Sequence, residues 1–260
     1  MQTARAVYGG HCEEVAELVD PPSRNTFFYG SYNTPGQKKT DRQVDANAMM
    51  ALSRFVAILD SLLTPRNQTW HTVTTDNEYL LKDRNVRLYF ETVTKLLFKA
   101  RYDAKANFAG QNQIVYRNLG AYGTGSMFID QYLGVDGKRG IRYKGVPLGE
   151  TYLRENHQGM VDGFCRPFRL TARQAVQKFT PERMPRQILE AAEKGNQFPY
   201  NFLHRVCPRE DYKPGRIDSK GMIYASYFLS LHYGIFLKEG GYRMFPMTAG
   251  RYTRAPGETF

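Results

Sequence analysis

The 260-residue sequence predicts an α+β fold, in which a helical N-terminal half precedes a mostly antiparallel β region with short helices. Two observations carry this. Apolar residues recur every three or four positions through the first half, whereas aromatic and branched residues gather into strand-like runs in the second. Those runs follow one another without a helix between each pair, which excludes alternating βαβ units. The chain therefore divides into residues 1–120, a helical region, and residues 121–260, a β-rich region with two short helices, the two forming one continuous unit.

The segment ARAVYGGHCEEVAELVDPP reads as a helix that Pro21 and Pro22 stop. Residues 25–42 are rich in turn formers and carry a basic pair, Lys38 and Lys39, so an irregular stretch is expected. Residues 44–63 give the clearest helix. Met49, Leu52, Val56, Leu59 and Leu63 alternate in steps of three and four, which gathers them into one buried stripe roughly 80° wide. Phe55 and Leu62 widen that stripe, Arg54 and Asp60 face away, and Pro65 ends the helix by pushing the preceding residue out of the α region. A second helix is predicted over 77–101, where Val86, Phe90, Val93 and Leu97 keep the helical period beside Tyr89 and Leu96. A third covers 104–119 and closes at the glycines of AYGTGSMFIDQYL, after which residues 126–133 alternate as a strand.

Downstream, RGIRYKGVPLGETYLREN reads as strand, turn and strand. Residues 170–179 make a short helix with Thr171 as its N-cap. Another short helix follows Pro185, which belongs in its first turn. From residue 201 onward the sequence is β in character. There Gly240 and Gly241 sit between two aromatic runs, the pattern of a hairpin turn.

Apolar residues make up 42% and charged residues 23% of the chain, the balance of a globular protein. Lys and Arg number 36 against 25 Asp and Glu, and the net charge of +11 suits an anionic partner, nucleic acid foremost. The basic residues are scattered, so charge alone defines no groove. Cys12, Cys165 and Cys207 lie far apart without metal-ligand spacing, which sets aside a zinc site and a disulfide framework and points to a reducing compartment. The sequence has neither a signal-peptide core nor an apolar run of the ~18 residues a membrane span needs.

No residue set rises to a catalytic signature, so no enzyme activity, cofactor or metal is expected. The glycines from Gly120 to Gly125 follow a helix and precede a strand, the reverse of a phosphate-binding loop. His11 beside Cys12, and His204 near Cys207, are placed on different faces of their elements and make no thiol–base pair. His71, His157 and His232 have no partner at ligand spacing, and Asp130 and Asp136 merely flank a strand and turn. Glu13, Glu14 and Glu17 are read as one solvated helix face. A cysteine hydrolase using Cys165 or Cys207 is the remaining enzymatic alternative, and it requires thiols reactive at neutral pH.

Three separated stretches form a pattern. GQKKTDRQVDANAMMALSRFVAILDSLLTPRNQTWHTV holds Gly36, Lys38, Thr40 and Asp41 in a loop before a helix, then Leu63, Thr64, Pro65 and Trp70 at a corner. VPLGETYLRENHQGMVDGFCRPFRLTARQAVQKF carries a strand pair leading into the Leu-Thr-Ala-Arg-Gln helix, and EGGYRMFPMTAGRY a Gly-Tyr, Phe-Pro and Arg-aromatic series. Together, and in this order, they resemble the head-to-tail connectors, or portal proteins, of short-tailed phages (podoviruses). The resemblance implies a non-enzymatic subunit of a dodecameric ring at the capsid vertex where double-stranded DNA enters and leaves. It implies as partners the capsid protein, terminase and tail adaptor proteins, and as location the virion, with host cytoplasm during assembly. The family sequence continues past the position of Phe260, so the chain corresponds to an N-terminal, wing-like portion with stem, clip and crown outside it.

A closed ring needs heterologous contacts, for which Tyr and Arg are favoured. Residues 25–42 and the corner at 65–71 are the expected contact places, with Tyr32, Lys38, Lys39, Arg42 and Arg66 as candidate residues. Pro65 and Trp70 are expected to pin the corner, the indole folding back over the end of the 49–63 stripe. The alternative function is a basic nucleic-acid-binding virion protein with no ring-forming role, in which Arg and Lys interleaved with Tyr and Phe engage phosphates and bases.

Overall fold

Among the described residues every strand pairs antiparallel, and the strands are shared between two sheets that face one another. A computed structural model describes residues 2–27, 36–43, 45–134, 137, 139–179 and 181–252. Helices come first: α1 (Gln2–Leu18), α2 (Asn47–Leu63), α3 (Glu78–Lys82), α4 (Arg84–Arg101) and α5 (Phe108–Tyr122). Then follow β1 (Thr124–Leu133), β2 (Arg139–Gly145), β3 (Tyr152–Glu155), β4 (Val161–Thr171), α6 (Ala172–Lys178) and α7 (Arg186–Glu193). The chain continues through β5 (Pro199–Pro208), β6 (Tyr224–Ser230), β7 (Ile235–Tyr242) and β8 (Met247–Arg251). The α+β class and the helix-first order are those the sequence predicts.

The three-stranded sheet, in the order β2-β1-β8, is a middle layer. Side chains alternate across it. Met127 and Tyr143 face the helices and pack with Phe108 and Ala106. Phe128 and Met247 face the five-stranded sheet, ordered β3-β4-β5-β6-β7, and pack with Phe164, Leu153 and Val206. The rest of that sheet's inner face is covered by α6 and α7, through Ala172, Ala175 and Ile188 against Phe168, Phe202 and Leu237. Thr171 caps α6 in a reciprocal box, accepting from Gln174 N while its own N–H donates to the Gln174 side chain.

α5 lies unusually close to the middle sheet because two glycines face it. A Cβ on Gly145 would stand 2.5 Å from the carbonyl oxygen of Gln111, and one on Gly125 would stand 2.7 Å from that of Val115. Helix and strand thus meet backbone to backbone.

Several expectations are corrected. The helix expected over 77–101 is broken at Asp83, which is extended and caps α4 by accepting from Asn85 N at 2.8 Å. An Asp carboxylate competes with the helix for nearby N–H groups and so starts a new one. The third helix begins at Phe108, preceded by Asn107 in the left-handed region. The predicted strands flanking 146–151 both form, but β2 and β3 belong to different sheets. Pro185 stands just before α7, at its cap. Gly240 and Gly241 make no hairpin turn, because they lie inside β7, paired with Ser226 and Ala225. Gly241 is required there by close approach, since a Cβ would meet that of Met222 at 2.5 Å. In the stripe of α2, Leu52 is buried, Met49, Val56 and Leu59 are half-buried and Leu63 is exposed. Glu13, expected in solvent, is buried and accepts from Asn25 N at 2.5 Å. The expected start at Val44, and Asp136, lie outside the described residues.

The aromatic core encloses a histidine. His204 stacks on Phe228 at 4.1 Å, meets Phe128 and Phe164 edge-on, and its Nε2 lies 2.9 Å from Ser226 Oγ. Burial, reinforced by Lys178 and Arg166, pushes its pKa down to about 3. The imidazole is therefore neutral in the folded chain, whereas an unfolded one takes a proton near pH 6.5. Folding stability from this group is complete above pH 6.5 and is lost as pH falls towards 3, with a limiting slope of about 1.4 kcal/mol per unit. Urea titrations between those limits are expected to show that slope reduced in His204→Gln.

Candidate subunit-contact surface

Thr64, buried at the end of α2, gathers the corner that follows it. Its hydroxyl accepts from Asn112 Nδ2 at 3.1 Å and lies 3.2 Å from the hydroxyl of Tyr116, both on α5. Its carbonyl accepts from Tyr102 Oη at 3.1 Å. Tyr102 Oη in turn accepts from Trp70 Nε1 at 3.1 Å. Pro65 is buried beside it. Trp70, half-buried, stacks with Phe108 at 6.2 Å, and the Arg101 guanidinium sits 4.6 Å over its ring. The indole thus packs on the aromatic group at the start of α5 and the end of α4. Arg101 also lies 3.2 Å from His71 Nδ1, and burial together with that guanidinium lowers the His71 pKa. Asp60, expected to face away, turns towards this corner, where its carboxylate accepts from Arg66 at 3.4 Å and Gln113 at 3.5 Å.

The described part of the predicted contact loop is fastened to α1 and the turn after it. Lys39 Nζ donates to the carbonyls of Pro22 (2.9 Å) and Arg24 (3.1 Å). Withdrawal from water lowers its pKa despite the carboxylates of Glu13 and Asp20 nearby. Arg42 bonds both carboxylate oxygens of Glu17, at 3.1 and 3.0 Å. Arg24 pairs with Asp41. Lys38 points into solvent, and Tyr32 lies outside the described residues. One further ion pair ties the helices together. Asp20, fully buried, accepts from Arg117 Nε at 2.6 Å and from Tyr122 Oη at 3.2 Å.

What the sequence did not single out is how much apolar surface the helices leave uncovered. On α2 Phe55, Ile58 and Leu62 are exposed by 37%, 54% and 73%. Their spacing of three and four, extended back to the exposed Ala51, makes a second stripe about 110° from the buried one. On α4 Leu88, Tyr89 and Leu96 are exposed, and on α3 so are Tyr79 and Leu80. The signal was present, for α2 is apolar nearly all round, the mark of a helix covered on more than one side.

The sites of possible chemistry show no assembled machinery. Burial pushes the Cys165 thiol up, away from a reactive thiolate. His204 is committed to Ser226. Gly123 simply caps α5. Among the described residues, no group of three or more His, Cys, Asp or Glu is placed to hold a metal ion, and no helix is long and apolar enough to cross a membrane.

The sequence profile of the bacteriophage head to tail connecting proteins matches residues 1–260, the whole of this sequence. The chain belongs to that family. Two relatives show the same extent of likeness. The portal protein of Salmonella phage epsilon15 is 24% identical, over 97% of this chain and 44% of its own length. The probable portal protein of Bordetella phage BPP-1 is 24% identical, over 100% of this chain and 46% of its own length. The connector-family chain thus spans less than half the length of these two relatives. Within it, the Thr64–Pro65–Trp70 corner, one of the stretches that carry the resemblance, coincides with a hydrogen-bonded junction of α2, α5 and the end of α4.

Thr64→Val keeps the shape of that junction but removes the hydroxyl facing Asn112 and Tyr116. The expected loss of stability is about 2 kcal/mol, read from the shift of a urea transition followed through the fluorescence of the single tryptophan.

Proposed function

We propose that this chain forms the wing-like part of a portal subunit that assembles into a closed ring, dodecameric as the family resemblance implies. The ring occupies one capsid vertex of the virion. Double-stranded DNA passes through it during packaging and ejection, with terminase docked first and tail adaptor proteins afterwards, and the capsid protein surrounds it. Assembly takes place in the host cytoplasm. The role is architectural and not enzymatic. The observation that carries this reading is the family match over residues 1–260.

The physical support comes from the helices. Ile58, Leu62, Leu88 and Leu96 expose apolar surface that a solitary subunit would leave in water. A ring covers such a surface with a different flank of the next subunit. Tyr32, Lys38 and Arg66 are assigned to the polar margin of such contacts. Lys39 and Arg42 instead hold the contact loop in place through the carbonyls and the Glu17 carboxylate they already engage.

Electron microscopy of the particle containing this chain tests the reading. Rings with a central opening are expected. A monomer that forms no ring in any particle, yet binds DNA with a steep loss at rising salt, would replace it with the nucleic-acid-binding alternative. The double variant Ile58→Glu and Leu62→Glu is expected to keep its helical circular dichroism and to weaken subunit association at least tenfold, about 1.4 kcal/mol, as measured by sedimentation.

A further inference from the structure

Where α6 meets the middle sheet, above the aromatic inner face of the five-stranded sheet, there is a cleft of about 120 Å³. Register determines what lines it. Phe128 pairs with Lys144 and Asp130 with Arg142, so all four side chains share the face turned towards the large sheet. On that sheet Arg166 pairs with His204, His204 with Phe228 and Phe228 with Lys238, a row that runs beneath the opening. Lys178, the last residue of α6, closes the side.

The cations outnumber their partners. Arg166 is held by Glu150 through Nε at 2.9 Å and Nη2 at 2.7 Å, and Arg142 donates to the carbonyl of Lys105 at 2.7 Å. Among the described residues, the side chains of Lys144 and Lys178 make neither a hydrogen bond nor an ion pair. Lys178 Nζ rests over the rings of Phe168, Phe228 and Phe179, at 4.7, 4.8 and 5.8 Å. The carboxylate lining the cleft, Asp130, accepts from Gln131 N and is itself pushed towards its neutral form by burial. His204 adds no charge because it is neutral. Two ammonium groups beside two guanidinium groups over phenylalanine rings are mutually unfavourable unless an anion joins them.

We propose that this cleft binds a phosphate group, held by Lys144 and Lys178 with Arg142 and Arg166 flanking it. A doubly charged tetrahedral anion answers both ammonium groups at once, whereas a single carboxylate would leave one unanswered. Both lysines remain reachable from solvent, so the group enters from outside without rearrangement of the core. The site does not depend on the ring reading. Its phosphate comes from one of two sources, a small free phosphate or the backbone of a nucleic acid.

Without an anion, burial and the neighbouring guanidinium of Arg166 hold the pKa of each lysine at about 8. Lys238 lowers that of Lys178 further, Lys178 and Arg142 that of Lys144, while Glu150 and Asp130 act in the opposite direction. A bound dianion raises both, so binding takes up protons near pH 8 and weakens as pH climbs past it.

Isothermal titration of the chain with inorganic phosphate is the test. One site per chain is expected, weakened at least tenfold in Lys144→Met and in Lys178→Met. Sulfate, whose charge stays constant, is expected to bind less well at pH 9 than at pH 7, with heats that depend on the buffer. Both Met variants are expected to melt no lower than the parent without phosphate, since each removes an unanswered charge. Should one unfold, Lys→Gln at the same position serves in its place. Absence of phosphate binding, or binding that neither variant changes, overturns the proposal. Fluorescence anisotropy with a short DNA duplex separates the sources. Duplex binding that phosphate displaces and the variants weaken assigns the site to nucleic acid, and phosphate binding without effect on the duplex assigns it to a small phosphate.

Discussion

The hydroxyl and carbonyl of Thr64 tie together three helices, of which α2 and α5 also pack through Leu52 and Phe55 against Gly120. α2 ends on it, α5 reaches it through Asn112 and Tyr116, and the end of α4 reaches it through Tyr102. The three hydrophobic clusters of buried residues draw on α5 and the elements after it, and none draws a buried member from α1, α2 or α4. Hydrogen bonds to a buried group are modest in net worth, but leaving such a group unpaired is costly. Polar geometry accordingly fixes the outer helices alongside their packing, with Asp20 and Arg117 making the equivalent link for α1.

Such a construction suits surfaces kept apolar for a neighbour. A helix held from one side presents its other side to solvent, and α2 shows this in the exposed Ile58 and Leu62, while Phe55 beside them lies against Gly120 of α5. The β region behaves differently. Many of its aromatic residues are spent inside, between two sheets and under α6 and α7, where His204 and Ser226 satisfy each other.

Much of this was legible in the sequence, and what was not has physical causes. α2, α6 and the glycine switch after α5 were readable because period, cap and left-handed glycine are local properties. The break at Asp83 was hidden because the apolar rhythm runs through it, and only the capping geometry shows that the carboxylate wins. Gly240 and Gly241 satisfied the rule for a turn but lie inside β7, where Gly241 serves close approach to Met222, a contact from a distant turn that no local pattern encodes. Alternation announced strands without naming partners, so the assignment of β2 and β3 to separate sheets lay beyond it. For the contact residues charge was legible and occupancy was not. Lys39 and Arg42 look alike to Lys38 on paper, yet two of the three are already engaged within the chain. The basic cleft was invisible for the same reason, since Lys144, Arg166 and Lys178 come together only through pairing register.

The two glycines under α5 bear on stiffness. At Gly145 and Gly125 the carbonyl groups of Gln111 and Val115 approach the strands more closely than any Cβ allows, with the side chains of Ile114 and Val115 packed beside them. Side-chain layers absorb small displacements, while main-chain contact transmits them. A displacement of α5 is therefore expected to carry the middle sheet with it, and with that sheet Lys144 on β2.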